Sequence, residues 1–209
     1  MNPIKLATCT LLLSAGLLAQ SIAPPIAEYR GDSVGGMFEI QNTTDSAMAV
    51  ILTTKSFMVD EQGHVQYRPL DKEIRVKTGA SSFVLRPHDS RMIFYKASFP
   101  VAPTSFSILA TMTKVEVTEG LRIDMVFPHM IYVYQKAKLN RSDISIDLVD
   151  GILRIHNLSQ KLGRVEGIQA SKQDLGGFPI YPGQTREVVA TGATKASVKF
   201  EDGFKIETP

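Results

Sequence analysis

Short strand-like runs separated by turn residues fill the chain after residue 24, and no segment there keeps a helical period. The predicted strands are 36–41, 47–59, 64–67, 73–77, 83–85, 92–95, 106–117, 121–134, 144–148, 152–156, 164–170, 177–181, 186–190 and 196–200. Many short strands at this spacing are typical of a β-sandwich or a β-barrel. The predicted fold class is therefore all-β.

A polar and basic segment at 135–141 divides the predicted strands into two groups. Domain boundaries fall in such segments, because few contacts cross them. The sequence therefore predicts two immunoglobulin-like β-sandwich domains, a first at 24–137 and a smaller second at 138–209. The second domain has only about 70 residues and would be marginal alone, so we expect it to pack against the first.

The first residues, 1–19, have the order of a secretory signal peptide. Lys5 precedes an apolar stretch that is too short to span a bilayer, which needs about 20 apolar residues. We predict cleavage after Ala19, or as late as Ala23. Cys9 is the one cysteine of the sequence and lies in this segment, so the exported protein would have no disulfide and no thiol nucleophile. No second long apolar run follows, and no membrane anchor is expected.

Charge and motif content argue against nucleic-acid binding and catalysis. Lys plus Arg is 23 and Asp plus Glu is 21, which gives a net charge of +2 without a basic stripe. The four histidines lie in separate segments at no metal-ligand spacing, and neither a nucleophile-elbow pattern nor a glycine-rich phosphate loop is present. We therefore expect no nucleic-acid partner, no enzyme activity, no cofactor and no metal site.

One metal alternative involves His129 and Met130, with Met112 and Met125 nearby in the sequence. Thioethers suit Cu(I), and an exported sandwich could bind copper through them. Methionine in a strand far more often fills a core. A copper-binding sandwich is thus the weaker interpretation.

The most unusual segment is the strand that follows the turn at 118–120. Its large apolar residues alternate with Arg122, Asp124 and Val126 and share one face of the strand. These residues are Leu121, Ile123, Met125 and Phe127. Two interpretations fit the pattern. The face packs on the domain's own core, or the strand lies at a sheet edge and offers these side chains to a partner that adds a strand.

Several segments resemble the periplasmic chaperones of usher pili, and their order and spacing match over nearly all of the chain after the signal. The matching segments are 25–32, 38–42, 83–93, 99–106, 121–135, 153–157 and 180–186. Among them, 38–42 is a strand that ends in asparagine, and 121–135 stands where the family has its donor strand. On this resemblance the chain is a divergent member of the chaperone/usher class.

The resemblance implies a periplasmic chaperone that stabilises pilus subunits by donor-strand complementation and delivers them to an outer-membrane usher. Pilus subunits of this class resemble immunoglobulin domains that lack their last strand. The chaperone lends its own strand, and the four apolar residues given above would fill the subunit's groove. The same strand would also allow weak self-association of the free protein.

The chain departs from the family at the position that binds the subunit's C-terminal carboxylate. Many relatives have an arginine on the first strand and a lysine near the end of the donor strand, and the alignment places Ile26 and Ile131 there. Arg30, Lys136 and Lys138 are the candidate replacements for this basic anchor.

An exported adhesin or a pilus-related structural subunit is the alternative function. Such a protein usually has an N-terminal extension that completes its own fold or a neighbour's. Here the signal runs into the first strand within a few residues, which favours the chaperone.

Overall fold

The computed structural model describes residues 20–115, 123–201 and 203–208. Strands are the main regular elements of these residues, together with one short 3-10 turn at Arg141–Asp143. Within the described residues, no helix is both long and apolar enough to span a membrane. The predicted all-β fold of two immunoglobulin-like sandwiches is confirmed.

The first sandwich contains ten strands in two sheets. The strands are β1 (Ser21–Ala23), β2 (Ile26–Arg30), β3 (Ser33–Gln41), β4 (Met48–Val59), β5 (Val65–Pro69), β6 (Arg75–Thr78), β7 (Ser82–Leu85), β8 (Ser90–Ser98), β9 (Thr104–Lys114) and β10 (Asp124–Tyr134). One sheet has the order β1-β3-β8-β6, and the other has the order β2-β10-β9-β4-β5, with β7 paired to β4. Phe38 and Ile93 of one sheet meet Phe106 and Ile131 of the other in a wholly buried core. Each such side chain contributes about 1.5–3 kcal/mol by burial.

The second sandwich is smaller and has its own core. Its strands are β11 (Ile144–Val149), β12 (Ile152–Asn157), β13 (Gly163–Ala170), β14 (Gln173–Asp174), β15 (Phe178–Ile180), β16 (Thr185–Val189), β17 (Ala196–Phe200) and β18 (Lys205–Glu207). They form the sheets β11-β12-β16 and β14-β13-β17-β18, with β15 paired to β13. Leu153, Val165 and Phe200 are buried at its centre, and Leu139 packs with them.

A buried asparagine ties a turn to the opposite sheet in the first sandwich. Asn42 directly follows β3, and its Nδ2 donates to the carbonyl oxygens of Ser46 and Arg86, both at 2.8 Å. Its Oδ1 accepts from the amide and the hydroxyl of Thr44, at 3.2 and 2.7 Å. The side chain is 1% exposed. It therefore satisfies backbone groups that water cannot reach.

The second sandwich repeats this arrangement around Asn157 at the end of β12. Its Nδ2 donates to the carbonyl oxygens of Lys161 and Tyr181, at 2.6 and 3.0 Å. Its Oδ1 accepts from the amide and the hydroxyl of Ser159, at 3.0 and 2.7 Å. Each sandwich thus uses one buried amide side chain to connect a strand end, a turn and the facing sheet.

A separate apolar cluster joins the two sandwiches. Phe57, Tyr132 and Tyr134 of the first sandwich pack with Leu162 of the second, and all four are buried. Gln184 adds hydrogen bonds from the second sandwich to the carbonyl oxygens that end β4. The predicted domain boundary between residues 137 and 138 falls in the connection after β10, and it stays a prediction.

The N-terminal strand β1 bears on the predicted cleavage site. Ser21–Ala23 pairs with the end of β3, from Gln41 to Glu39, and cleavage after Ala23 would remove this strand. The pairing of β1 with this edge of β3 stabilises the sheet, because an unpaired edge exposes backbone groups. We therefore expect the exported protein to begin at Gln20. Intact mass measurement of the protein recovered from the periplasm checks this, and a chain that begins at Pro24 would contradict it.

Candidate strand-binding edge

The two halves of β10 have different neighbours. β9 pairs with it from Asp124 to Val133. On the opposite side, β2 pairs only with 130–134. Within the described residues, 124–129 therefore have a strand on one side alone. In the described part of the chain this half of β10 is an open edge for backbone pairing, and β1 approaches it without pairing to it.

The direction of the backbone shows which groups the open edge presents. The amide of Met130 donates to the carbonyl oxygen of Pro25 at 2.8 Å, so the backbone of Met130 points away from β9. Alternate residues of a strand point the same way. Asp124 and Val126 thus direct both a donor and an acceptor to the open edge. Pro128 directs only its carbonyl oxygen there, as is usual for a proline in an edge strand.

The predicted donor residues occupy two environments. Ile123 directly precedes β10 and is 61% exposed. Met125 and Phe127 are partly buried and pack against the core of the first sandwich. Leu121 lies outside the described residues. The inward face of β10 therefore rests on the domain's own core at Met125 and Phe127, and the assignment of these four residues to subunit binding stays a prediction.

The outward face of the same sheet is also apolar, which the sequence analysis missed. Val126 is 54% exposed, and its cross-strand row continues through Thr111 to Ile51, which is 53% exposed. Val84 of β7 lies in the next row and is 58% exposed. Only the register of four strands brings these residues together, so no local pattern could reveal the patch.

Arg30, the first basic candidate, connects the two sandwiches. One guanidinium nitrogen donates to the carbonyl oxygen of Gln135 at 2.6 Å, and another forms an ion pair with Glu201 of the second sandwich. The guanidinium also lies over the ring of Tyr134, 5.3 Å from its centroid. Arg30 is thus engaged in holding the sandwiches together.

The other two basic candidates lie in the connection after β10. The Lys136 ammonium is 3.4 Å from a carboxylate oxygen of Asp32, and the two side chains are 81% and 73% exposed. Lys138 is also exposed. A surface pair of this kind contributes at most about 1 kcal/mol.

The positions that the family alignment assigned to the anchor are placed differently by the structure. Ile26 is 46% exposed, whereas Ile131 is wholly buried in the core. Across the strands Ile26 pairs with Met130, and Ile131 pairs with Ala27. Lys55 lies in the same cross-strand row, beyond Ser107. Lys55 has no ion pair within the part of the chain that the structure describes.

His129 belongs to a buried polar chain rather than to a copper site. Its Nδ1 is 2.7 Å from the carbonyl oxygen of Pro24, and its Nε2 is 3.0 Å from the hydroxyl of Tyr95. That hydroxyl is 2.9 Å from the hydroxyl of Tyr29. Both ring nitrogens therefore have partners, and Met130 projects from the opposite face of the strand. Met112 and Met125 are cross-strand partners that pack in the first core, and Met130 lies on the other face of β10, so the four residues do not converge on one point.

Burial lowers the pKa of His129, because a desolvated imidazolium is disfavoured. The neutral ring donates from Nδ1 to the carbonyl oxygen of Pro24 and accepts from the Tyr95 hydroxyl at Nε2. In the unfolded chain the ring takes up a proton near its ordinary pKa of about 6.5. Between the two pKa values the unfolded state binds more protons, so the free energy of unfolding falls as the pH falls below about 6.5.

We expect His129→Gln to reduce this acid sensitivity, because glutamine does not titrate. Urea unfolding at pH 7.5, 6.5 and 5.5 measures the free energy of unfolding of both proteins. Subtracting the two curves removes the contribution of the other histidines. If the free energy of unfolding changed with pH in parallel for the two proteins, the prediction would be wrong.

Comparison with solved structures shows which known proteins share this fold. No protein-family model and no curated protein matches the chain. Among solved structures, the class 5 fimbriae chaperone CfaA is 12% identical with a TM-score of 0.58, over 91% of this chain and 99% of that one. The complex of the Salmonella enterica SafA pilin with the SafB chaperone matches at 11% identity and a TM-score of 0.60, over 92% and 95%. The complex of the chaperone CsuC with the CsuE tip adhesion subunit, from archaic Csu pili of Acinetobacter baumannii, matches at 14% identity and a TM-score of 0.53, over 91% and 98%. The chain therefore has the fold of the fimbrial chaperones, and the resemblance seen in the sequence is confirmed at the level of the fold.

Proposed function

We propose that this protein is a periplasmic, non-enzymatic chaperone that binds fimbrial subunits by strand addition and delivers them to an outer-membrane usher. The open edge of β10 at 124–129 carries the proposal. It occurs on a fold shared with proteins solved as complexes with a pilin and a tip adhesion subunit. The two sandwiches would act as the two domains, 24–137 and 138–209, after removal of the signal at 1–19.

Strand addition at this edge requires no chemical step. A subunit strand would accept from and donate to the backbone of Val126, whose amide and carbonyl oxygen point to the open edge. The exposed side chain of Ile123 would fill an apolar groove of the subunit. Met125 and Phe127 would continue that row where the strand meets the chaperone's own core.

Co-expression tests the proposal directly. We expect a fimbrial subunit from the same genome to survive in the periplasm and to co-purify with this protein as a one-to-one complex. Without the protein, the same subunit should be degraded or aggregate. A subunit that accumulates equally well in both cases would refute the proposal.

Lys55 is the basic residue best placed to hold a subunit's terminal carboxylate. It shares an outward row with Ile26 and Met130, and it is half-buried without an ion pair in the described part of the chain. A charge-assisted hydrogen bond at such a place contributes about 1.5–3 kcal/mol.

We therefore expect Lys55→Ala to weaken subunit binding by about tenfold to a hundredfold. Lys136→Ala is the matched control. Because the Lys136 side chain is 81% exposed, we expect its removal to change the affinity for the subunit little. Titration calorimetry with the purified subunit measures both. If Lys136→Ala lowered the affinity for the subunit more than Lys55→Ala, the carboxylate anchor would lie in the connection after β10 and not at Lys55.

A further inference from the structure

An open groove crosses the outer face of β3, β8 and β6, on the sheet that does not contain β10. Its volume is about 560 Å³, and it continues into a second depression of about 580 Å³ that shares Gly35, Lys77 and Lys96 with it. The floor is low because Gly35 and Gly79 have no side chains. A Cβ built at either position meets no atom closer than 3.6 Å.

One end of the groove is apolar. Met37 and Phe94 are cross-strand partners, and they are 53% and 62% exposed. Met92 follows on the same face of β8 and is 43% exposed. Adjacent exposed side chains of this size on a sheet are typical of an interaction surface.

The other end of the groove is cationic. Lys96 pairs with Lys77 across the strands, and Arg75 lies in the next row opposite Ser98. These three cations have no ion pair within the described residues. The whole chain has a net charge of only +2, so this cluster is a local excess of positive charge.

We propose that this groove binds an extended acidic segment of a partner protein that carries one large apolar side chain. The apolar side chain would lie on the glycine floor against Met37 and Phe94, and carboxylates would meet Lys77, Lys96 and Arg75. Charge complementarity of this kind selects an anionic partner.

Two other anionic partners fit the shape less well. A flat bilayer would touch the rims of the groove and leave its glycine floor empty. A small amphiphile would keep one side in water, because Met37 and Phe94 are more than half exposed. A segment of a larger protein fills the floor and brings its own surface to cover the rims.

The strand geometry sets the spacing of the acidic segment. Phe94, Lys96 and Ser98 succeed one another on the same face of β8, about 7 Å apart. An extended peptide along this strand would therefore need its carboxylates two and four residues after its apolar side chain. The groove lies on the sheet opposite β10, so it would stay accessible while a subunit is bound.

The test uses a capped peptide, glycine-phenylalanine-serine-glutamate-serine-glutamate-glycine, and no subunit, so its result is independent of the proposed function. Amide NMR signals of Gly35 and Gly79 should shift and saturate on titration. A peptide with lysine in place of both glutamates should cause no such shift. Absence of saturable shifts, or equal shifts with the lysine peptide, would overturn the proposal.

Substitutions distinguish the contribution of the groove's positive charge to peptide binding from the contribution of its shape. Gly35→Leu fills the floor, since a Cβ at this position meets no atom closer than 3.9 Å, and it should abolish the shifts at Gly79. Lys77→Glu combined with Lys96→Glu should lower the affinity at least tenfold. The control is Lys172→Glu with Lys195→Glu, which changes the charge equally on the second sandwich and should leave binding unchanged. A peptide affinity that falls equally in the control pair would show attraction by net charge alone and overturn the proposal.

A vesicle experiment distinguishes the membrane alternative. Flotation with phosphatidylglycerol vesicles should recover no more protein than flotation with phosphatidylcholine vesicles. If the protein floats with the anionic vesicles, if this requires Lys77 and Lys96, and if the peptide causes no shifts, the groove binds a lipid surface and the proposal is wrong.

Discussion

Ile123→Asp is expected to lower subunit binding more than about a hundredfold while the free protein keeps its melting temperature. The side chain is 61% exposed in the free protein, so a carboxylate there stays in water. In the complex the carboxylate would enter an apolar groove, where its burial without a partner costs at least about 3 kcal/mol. Calorimetric binding to the subunit and a thermal melt of the free variant measure the two effects.

Two variants control this result. Phe127→Asp places a charge where the ring packs on the first core, so we expect a large fall in melting temperature. Val189→Asp replaces a residue that is 71% exposed on the second sandwich, and it should change neither property. If Ile123→Asp melted as early as Phe127→Asp, the residue would be part of the core. If it bound the subunit normally, the donor-strand assignment would be wrong.

Asn157→Ala is expected to lower the free energy of unfolding by about 3 kcal/mol. The carbonyl oxygens of Lys161 and Tyr181 and the amide of Ser159 would lose their partner where water cannot replace it. Each buried group left unsatisfied costs about 1–3 kcal/mol. The second sandwich has the smaller core, so the loss is a large part of its stability.

Urea unfolding followed by far-ultraviolet circular dichroism measures this loss, because the chain has no tryptophan. Gln66→Ala removes an exposed amide on β5 and serves as the control, with an expected change below about 0.5 kcal/mol. Asn42→Ala should resemble Asn157→Ala in the first sandwich. A change at Asn157 no larger than that at Gln66 would show that water or a rearranged turn replaces the amide.

The sequence predicted a strand well where apolar and polar residues alternate over many positions. β4 matches its predicted segment to within one residue, because buried and exposed residues largely alternate along it. β8 was predicted at 92–95 and runs further in both directions, from Ser90 to Ser98. β1 and β2 were missed as separate strands, since each is short and they flank Pro24 and Pro25. Local pattern cannot identify a strand that short, because its partner supplies most of its stabilisation.

The site was less predictable than the fold. Alternation showed that Ile123, Met125 and Phe127 share a face, but only the pairing of β10 with β2 shows where the open edge ends. The place of Lys55 in the same cross-strand row as Ile26 depends on the register of four strands, and no feature of its own segment indicates it. Such information arises from long-range pairing and is absent from a local sequence window.

Pro128 has a consequence for the free protein at high concentration. An unprotected sheet edge is a template for cross-β growth, in which each added strand exposes a new edge for the next molecule. Here β2 pairs with one end of the β10 edge, at 130–134. Pro128 is the next residue that points to the open side, and it has no amide hydrogen to donate to an added strand. Two molecules that pair along the short remainder would occupy each other's β10 edge, so we expect self-association through β10 to end at a weak dimer instead of continuing into a fibre.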